Sequence, residues 1–386
     1  MTTRPYEPAF ARGGGVGAAV GGLCAIAAGI GVGRFVYTPI LPPMVAALGL
    51  SKSQAGLVAS ANFLGYLIGA LLAAMPTLPG SRRAWVLGAL AASVVTTAAM
   101  GVSDTMPAFL VLRLIGGVAS AFVLILASTM VLEYLAEQGR NALSAIHFAG
   151  VGSGIAVSAA LVAALLAIGQ QWRALWLASG ALSVGGLVAA TLLLPRHSLA
   201  THARGRQAHA ALDPRLKRMI VAYGFYGFGY VITATFLVAI VRGAPAIRAL
   251  EPVIWIVFGL AAAPSIALWT WIAAPIGLPR AFALACVVEA VGVLASVAWQ
   301  TTAGVFVAAI LVGGTFMALT ALGLMRGREL AHGDARRALA LMTSAFGIGQ
   351  IVGPYFAGIV SDWLGSFIVP SATAAAALLI AAVLAK

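Results

Sequence analysis

The sequence predicts an all-α membrane protein with twelve transmembrane helices in two pseudo-symmetric six-helix bundles. Of its 386 residues, 62% are hydrophobic and only 9% are charged, with a mean hydropathy of +1.03, whereas soluble domains carry about 25% charged residues. Charged or Pro/Gly-rich breaks divide the chain into apolar spans long enough to cross a bilayer as helices. The two halves of the chain also resemble each other at a nearly fixed offset.

The predicted spans alternate with short polar breaks along the whole chain. Ser51 and Gln54 form a capping box before the second span, and Pro107 suits the first turn of the fourth. The spans cover residues 17–46, 53–75, 84–103, 107–132, 141–168, 172–194, 218–241, 252–272, 280–299, 303–325, 338–360 and 366–385. We therefore predict an N-terminal bundle over residues 1–194, a basic cytoplasmic linker over 195–217 and a C-terminal bundle over 218–386.

An internal repeat supports this division. The segment LIGGVASAF at 114–122 aligns with LVGGTFMAL at 311–319, an offset of 197 residues. At the same offset, GVG at 150–152 meets GIG at 347–349, and Gly33 meets Gly229 at an offset of 196. In transporters built from repeats, the substrate lies near the membrane midplane where the repeats meet.

The distribution of positive charge predicts the orientation. With the N-terminus inside, 17 of the 23 Lys and Arg residues fall on the inner side and four on the outer side. Cytoplasmic loops carry the excess of Lys and Arg. We expect a multi-pass protein of a bacterial-type cytoplasmic (inner) membrane, with both termini in the cytoplasm.

Arg34 is the most informative residue, because it stands midway through the first apolar span in the stretch GIGVGRFVYTPILPP. A charge at that depth costs at least about 2.5–3.5 kcal/mol and should face a protein interior or a wet cavity. Helical spacing places Tyr37 and Thr38 on the same face. We predict that these three residues line a polar cavity.

Other polar side chains within the spans are candidates for the same cavity. Tyr226, Tyr230 and Thr233 form one stripe on the seventh span, while Gln350 lies in the eleventh. Asn62 and Tyr66 share a face of the second span. For the amides Asn62 and Gln350, the alternative explanation is a hydrogen bond to a neighbouring helix.

Three further residues are candidates for coupling or for structure. Arg113, within the fourth span, either binds solute or packs structurally. Glu289 is the one acidic residue in the middle of a span, so it is either a structural partner or a proton site. The imidazole of His147, near the inner end of the fifth span, can titrate near neutral pH, although a histidine alone on a helix is more often simply hydrogen-bonded.

Several sequence segments resemble those of the major facilitator superfamily, and within it those of the YbfB/YjiJ-like group. They are GVGRFVYTPILPPM, YGFYGFGYVITATFL, GGTFMALTALGL and FGIGQIVGP. Arg113 and Gly117 resemble the superfamily's RxxxG motif of the fourth helix. The loop after the second helix, PTLPGSRR, departs from the superfamily's signature for this loop, because it lacks the aspartate that is usual there. The resemblance implies that helices 1, 4, 7 and 10 line the cavity.

Together these observations predict a secondary active transporter that moves a small organic solute by alternating access. Two arginines with at most one carboxylate favour an anionic or carboxylate-bearing solute. The alternatives are a proton-coupled exporter of drugs or other hydrophobic compounds, and a transporter-like membrane receptor without transport. No enzyme motif appears, so we expect neither an enzyme nor a cofactor or metal. The expected partners are the solute and the lipid bilayer, with no nucleic acid, and we expect a monomer. The driving force is either a solute gradient or a proton gradient, and in the second case protons are a further partner.

Overall fold

A computed structural model describes residues 14–75, 78–195, 212–331 and 335–386. These residues form helices and no strands, as the predicted fold class requires. Most of the predicted linker, residues 196–211, lies outside the described residues. Within the described ranges, the segments α1 to α12 are Gly14–Leu48, Lys52–Ala73, Arg82–Met100, Met106–Glu137, Asn141–Ala167, Trp172–Leu193, Pro214–Gly243, Arg248–Ala262 with Ser265–Ile276, Leu278–Ala298, Thr302–Glu329, Ala335–Leu364 and Ile368–Leu384.

Most of these segments can cross a membrane as single helices. Ten of the described segments are long and apolar enough by themselves, and α8 makes an eleventh if its two parts count as one span. The parts of α8 meet at an angle of 44°, so the uninterrupted span predicted at 252–272 is bent. Pro264 stands at the break, where its missing N–H and its ring disrupt helical hydrogen bonding. The segment α12 is a shorter apolar helix.

Local signals mark helix starts as predicted. The Ser51 side chain accepts a hydrogen bond from the backbone N–H of Gln54, whose side chain accepts one from the backbone N–H of Ser51. This is the predicted capping box, and it satisfies donors that a helix N-terminus leaves free. Pro107 lies in the first turn of α4, also as predicted.

The helix ends form two groups, one on each side of the protein. At the start of α3, Arg82 pairs with Glu133 near the end of α4, with 2.8 Å between Nη1 and Oε2. We call this end, which also holds the ends of α6 and α10, the linker side. At the opposite end, the far side, the backbone N–H of Lys52 donates to the Asp362 carboxylate at 3.0 Å.

The two halves pack against each other in a symmetric way. The segment α2 packs on α11, and the repeat-equivalent pair α8 and α5 also pack together. At the centre, Arg34 of α1 donates a hydrogen bond to Tyr230 of α7, and Thr38 of α1 donates one to the carbonyl of Ala234 of α7. In both hydrogen bonds the partners are 196 residues apart in the sequence. Because that separation is the repeat offset, equivalent positions face each other. A pseudo-twofold axis therefore runs between α1 and α7.

Close helix contacts depend on glycine at particular positions. A Cβ atom at Gly117 of α4 would lie 2.0 Å from the Asn62 carbonyl oxygen of α2. A Cβ atom at Gly152 of α5 would lie 2.2 Å from the backbone nitrogen of Ala263 in α8. Small residues let membrane helices approach until their backbones touch. The first contact holds the N-terminal half together, and the second joins the two halves.

Candidate functional site

The first helix is interrupted at the depth of Arg34. An α-helix over Gly14–Ile26 continues as a π-helix over Ala27–Val32 and as turns over residues 33–36, before a second α-helix over Tyr37–Leu48. Pro39 lies in the first turn of that second helix and cannot donate a backbone hydrogen bond to the preceding turn. Irregular backbone at membrane depth is tolerated only inside protein or beside a cavity.

Arg113 stabilises this interruption. Its Nη1 donates to the carbonyl of Gly33 at 2.9 Å, and its Nη2 donates to the carbonyl of Arg34 at 3.0 Å. Carbonyls at a helix break lack donors from the following turn, and the guanidinium supplies them. Its charge also lies over the ring of Tyr37, 5.1 Å from the centroid. Arg113 therefore holds the backbone that presents Arg34.

The guanidinium of Arg34 lies among aromatic rings. Its Cζ atom is 4.5 Å from the ring centroids of both Phe63 and Tyr66 on α2, and 5.2 Å from that of Phe35. Its Nη2 donates to the hydroxyl of Tyr230 at 3.4 Å, while its Nε has no hydrogen-bond partner. Only 6% of the residue's surface is exposed. The buried cation is therefore stabilised by aromatic faces and keeps an unused donor.

The C-terminal half contributes Tyr230 and a stack of rings around it. Gln350 of α11 donates its amide to the Tyr230 hydroxyl, and its own carbonyl oxygen has no partner. The ring of Tyr230 stacks on Tyr226, Phe346 and Phe316, with centroids 5.2, 5.8 and 5.8 Å away. Tyr230 thus joins the arginine of one half to the aromatic cluster of the other.

The structure brings four of the predicted site residues into one group: Arg34, Tyr66, Tyr230 and Gln350. The predicted residues Arg113, Asn62 and Tyr37 lie one layer behind them. The side chain of Asn62 donates to the Arg113 carbonyl at 2.8 Å, and the Tyr37 hydroxyl donates to the Ala55 carbonyl at 2.8 Å. The hydrogen bond of Asn62 joins α2 to α4, as in the alternative explanation for this amide.

The other predicted substrate-binding residues are Thr38 of α1 and Tyr226 and Thr233 of α7. The hydroxyl of Thr38 donates to the carbonyl of Ala234 at 2.8 Å. Tyr226 donates its hydroxyl to the Phe316 carbonyl and lies 2.9 Å from the hydroxyl of Thr320. Thr233 is buried, and its hydroxyl has no partner. Tyr226 is connected to Arg34 through its stack on Tyr230.

The three coupling candidates occupy separate places. Arg113 lies beside the α1 break, as described above. His147 of α5 is buried, and its Nε2 is 2.8 Å from the hydroxyl of Ser128 on α4, while its Nδ1 has no partner. Glu289 of α9 is fully buried, and neither carboxylate oxygen has a hydrogen-bond partner.

The predicted site contained polar side chains only, so sequence reasoning left out the apolar aromatic residues around Arg34. The missed residues are Phe35, Phe63, Phe316 and Phe346. A signal was present for two of them. Phe63 stands three residues before Tyr66, and Phe346 stands four residues before Gln350, so each shares a helix face with a predicted residue.

The site is electrically positive. None of the ion pairs found among the described residues includes Arg34 or Arg113. These ion pairs lie near helix ends and join Arg82 with Glu133, Arg173 with Asp104, Arg242 with Glu251, and Arg326 with Glu329. Within a low-dielectric interior, an unneutralised charge acts more strongly than in water. The arrangement can therefore attract an anion, which would find free donors and flat apolar faces.

A protein-family model described as "Uncharacterised MFS-type transporter YbfB" matches residues 26–386 of the chain. A search of curated protein sequences finds no match.

Solved structures match the fold over nearly the whole chain. A mutant form of the nucleoside transporter NupG aligns with a TM-score of 0.73 at 13% identity, covering 95% of this chain and 98% of that one. A D-xylose-proton symporter aligns with a TM-score of 0.72 at 16% identity, covering 96% of each chain. A bacterial homolog of the human lysosomal transporter Spinster, in an inward-facing and occupied conformation, aligns with a TM-score of 0.69 at 14% identity, covering 98% of this chain and 96% of that one.

Proposed function

Since this chain belongs to the family of the uncharacterised MFS-type transporter YbfB, we propose that it moves a small carboxylate-bearing organic anion across the membrane by alternating access. The chain is a multi-pass membrane transporter of the major facilitator fold, and members of this superfamily are not enzymes. The proposal adds the class of solute and the residues that bind it.

One observation carries the proposal: Arg34 is buried at the contact between the halves and has no carboxylate partner among the described residues. A guanidinium binds a carboxylate through two parallel N–H groups. The Nε of Arg34 is free for such a bond, and its neighbouring Nη2 makes only a long contact with Tyr230. A solute carboxylate would replace that contact with two charge-assisted ones.

The same geometry suits alternating access. Arg34 and Tyr66 belong to the N-terminal half, whereas Tyr230 and Gln350 belong to the C-terminal half. A solute held by all four would lie near the pseudo-twofold axis. Rocking of the halves about that axis would expose it to one side of the membrane and then to the other.

The aromatic rings around Arg34 support a second candidate function, export of hydrophobic compounds. Flat apolar faces such as those of Phe63, Phe316 and Phe346 bind hydrophobic solutes by area alone. A lipophilic cation, however, would meet the positive charge of Arg34 with no buried carboxylate nearby to offset it. The two candidates therefore differ in the charge of the solute they accept.

We further propose a cytoplasmic membrane location with the linker side facing the cytoplasm, and a monomeric transporter with the domain limits given above. The distribution of Lys and Arg supports this orientation. The far side, with Lys52 and Asp362, is then external.

Ligand-induced thermal stabilisation of the purified protein tests the proposal. We expect benzoate, lactate, succinate or phthalate to raise the unfolding temperature, and tetraphenylphosphonium to have no effect. A ligand at one hundred times its dissociation constant stabilises the folded state by about 2.7 kcal/mol, which is readily measured.

Substitution of Arg34 identifies the group responsible. Arg34→Gln and Arg34→Lys should both lose stabilisation by carboxylates, because neither offers the paired donors of a guanidinium. Arg173→Gln, which removes an arginine near the far-side end of α6, is the matched control and should keep the full shift. An unchanged shift in Arg34→Gln would exclude Arg34 from the site, and stabilisation by tetraphenylphosphonium alone would favour export of hydrophobic compounds.

A further inference from the structure

Glu289 is a buried acid that the proposed binding site does not use. It lies in the middle of α9. The residue is 0% exposed, and neither carboxylate oxygen has a hydrogen-bond partner. Ionisable residues in the middle of transmembrane helices are costly, and they typically mark ion or proton pathways.

The helices that pack on α9 offer no charge to neutralise Glu289. These helices are α7, α10, α12 and the second part of α8. The titratable groups in this region are the thiol of Cys286, one turn earlier on α9, and two phenols of α7: Tyr226, whose ring contacts Phe282 of α9, and Tyr230, which stacks on Tyr226. The charged residues of these helices in the described chain all lie at helix ends: Arg215, Lys217, Arg218, Arg242, Arg280, Arg326, Arg328, Glu329 and, after α12, Lys386.

Energetics then decide the protonation state of Glu289. An ionised carboxylate that is removed from water without a partner is strongly unfavourable, even after the surrounding protein relaxes. Such a group takes up a proton and becomes neutral instead. The uptake converts a carboxylate and a proton into a carboxylic acid, and no other bond changes.

The position of Glu289 connects it to the candidate solute site. Tyr226 contacts α9 through the ring of Phe282, with 6.2 Å between centroids, and its own ring stacks on Tyr230 with 5.2 Å between centroids. Tyr230 in turn contacts Arg34. A solute that displaces the Tyr230 hydroxyl from Arg34 would move the stacked pair, and so change the surroundings of Glu289.

We propose that Glu289 is the proton-binding site of this transporter, and that its proton crosses the membrane together with the solute anion. The coupling of proton and solute rests on the proposed function, whereas proton binding by Glu289 does not. The location on α9, behind the helices that contact the solute, separates the proton from the anion.

Infrared spectroscopy of the purified protein tests proton binding without any solute. At neutral pH we expect the wild-type protein to show the carbonyl stretch of a protonated carboxylic acid, and Glu289→Gln to lack it. Glu251→Gln, which removes an acid paired with Arg242 near the far side, is the matched control and should keep the band. A wild-type spectrum without the band, or an unchanged band in Glu289→Gln, overturns the proposal.

Transport of succinate in proteoliposomes tests coupling and separates it from a structural role. The membrane potential is clamped at zero with valinomycin and equal potassium on both sides. With one proton per succinate, a pH gradient of one unit should support about a tenfold accumulation by wild type. Glu289→Gln should lose this accumulation but retain exchange of labelled for unlabelled succinate. Accumulation by Glu289→Gln equal to wild type overturns the proposal.

The infrared and transport experiments together distinguish an error in the role of Glu289 from an error in the proposed solute class. If wild-type protein neither exchanges succinate nor is stabilised by any of the four carboxylates, the proposed solute class is wrong. The infrared result still decides whether Glu289 binds a proton.

Discussion

The two buried arginines differ in what their donors do, although both appear in the sequence as charges within apolar spans. Both terminal nitrogens of Arg113 donate to backbone carbonyls of α1. Arg34 instead donates from Nη2 to the side chain of Tyr230 at 3.4 Å and lies against aromatic rings, while the Nε atoms of both arginines are unpartnered. The first arginine is committed to structure, and the second has capacity left for a ligand.

This difference predicts distinct effects of substitution at the two positions. Arg113→Lys should lower the free energy of unfolding by about 1–3 kcal/mol for each carbonyl left without a donor, because one ammonium cannot reproduce the geometry of the guanidinium fork. Arg34→Lys should change stability less while abolishing carboxylate binding. Thermal unfolding without ligand measures the first effect, and Arg173→Lys serves as the surface control. Equal destabilisation by Arg34→Lys and Arg113→Lys would contradict the assignment of roles.

At the scale of helices, the N-terminal half depends on close contact between α2 and α4. Gly117 of α4 lies against the backbone of Asn62, whose side chain donates to the carbonyl of Arg113 on α4. The RxxxG pattern therefore combines an arginine that stabilises the break in α1 with a glycine that lets α2 approach. Both depend on the same stretch of α4.

Substitution of Gly117 should disrupt that contact. A Cβ atom there would lie 2.0 Å from the carbonyl oxygen of Asn62, so Gly117→Ala must push the two helices apart. Overpacking of this kind typically costs about 1–3 kcal/mol, and we expect a lower unfolding temperature and weaker carboxylate binding. Gly88→Ala is the control, since a Cβ atom at Gly88 meets nothing within 4 Å. A wild-type unfolding temperature for Gly117→Ala would show that the helices separate without cost.

At the scale of the whole molecule, the two halves are joined at the far side by hydrogen bonds between α2 and α11. The Asp362 carboxylate accepts from the backbone N–H groups of Lys52 and Ser53 at 3.0 and 2.9 Å. Deeper in the same contact, the Ser60 hydroxyl donates to the carbonyl of Ile351 at 2.6 Å. An acid of one half thus caps a helix of the other, where negative charge is favourable. The proposed alternating access requires this contact to open.

Asp362→Asn should therefore shift the protein toward a conformation that is open on the far side. Loss of a charge-assisted cap worth about 1 kcal/mol changes a two-state population about fivefold. We expect an impermeant maleimide, added outside intact cells, to label Ser60→Cys about fivefold faster when Asp362→Asn is also present. Asp104→Asn, another far-side acid whose partner Arg173 belongs to the same half, should leave the rate unchanged. Labelling only from the cytoplasmic side would reverse the proposed orientation.

The sequence by itself determined the helical fold class, most helix positions, the capping box at Ser51 and the enclosure of Arg34 within protein, because these depend on local periodicity and on the cost of charge in hydrocarbon. The repeat offset of 196 to 197 residues indicated the paired halves before any contact was known. Only the tertiary structure decided that Arg113 bonds α1, that Phe63 and Phe346 surround the site, and that Glu289 has no partner. Those properties depend on which faces of distant helices meet, and a periodic apolar pattern is compatible with many such arrangements.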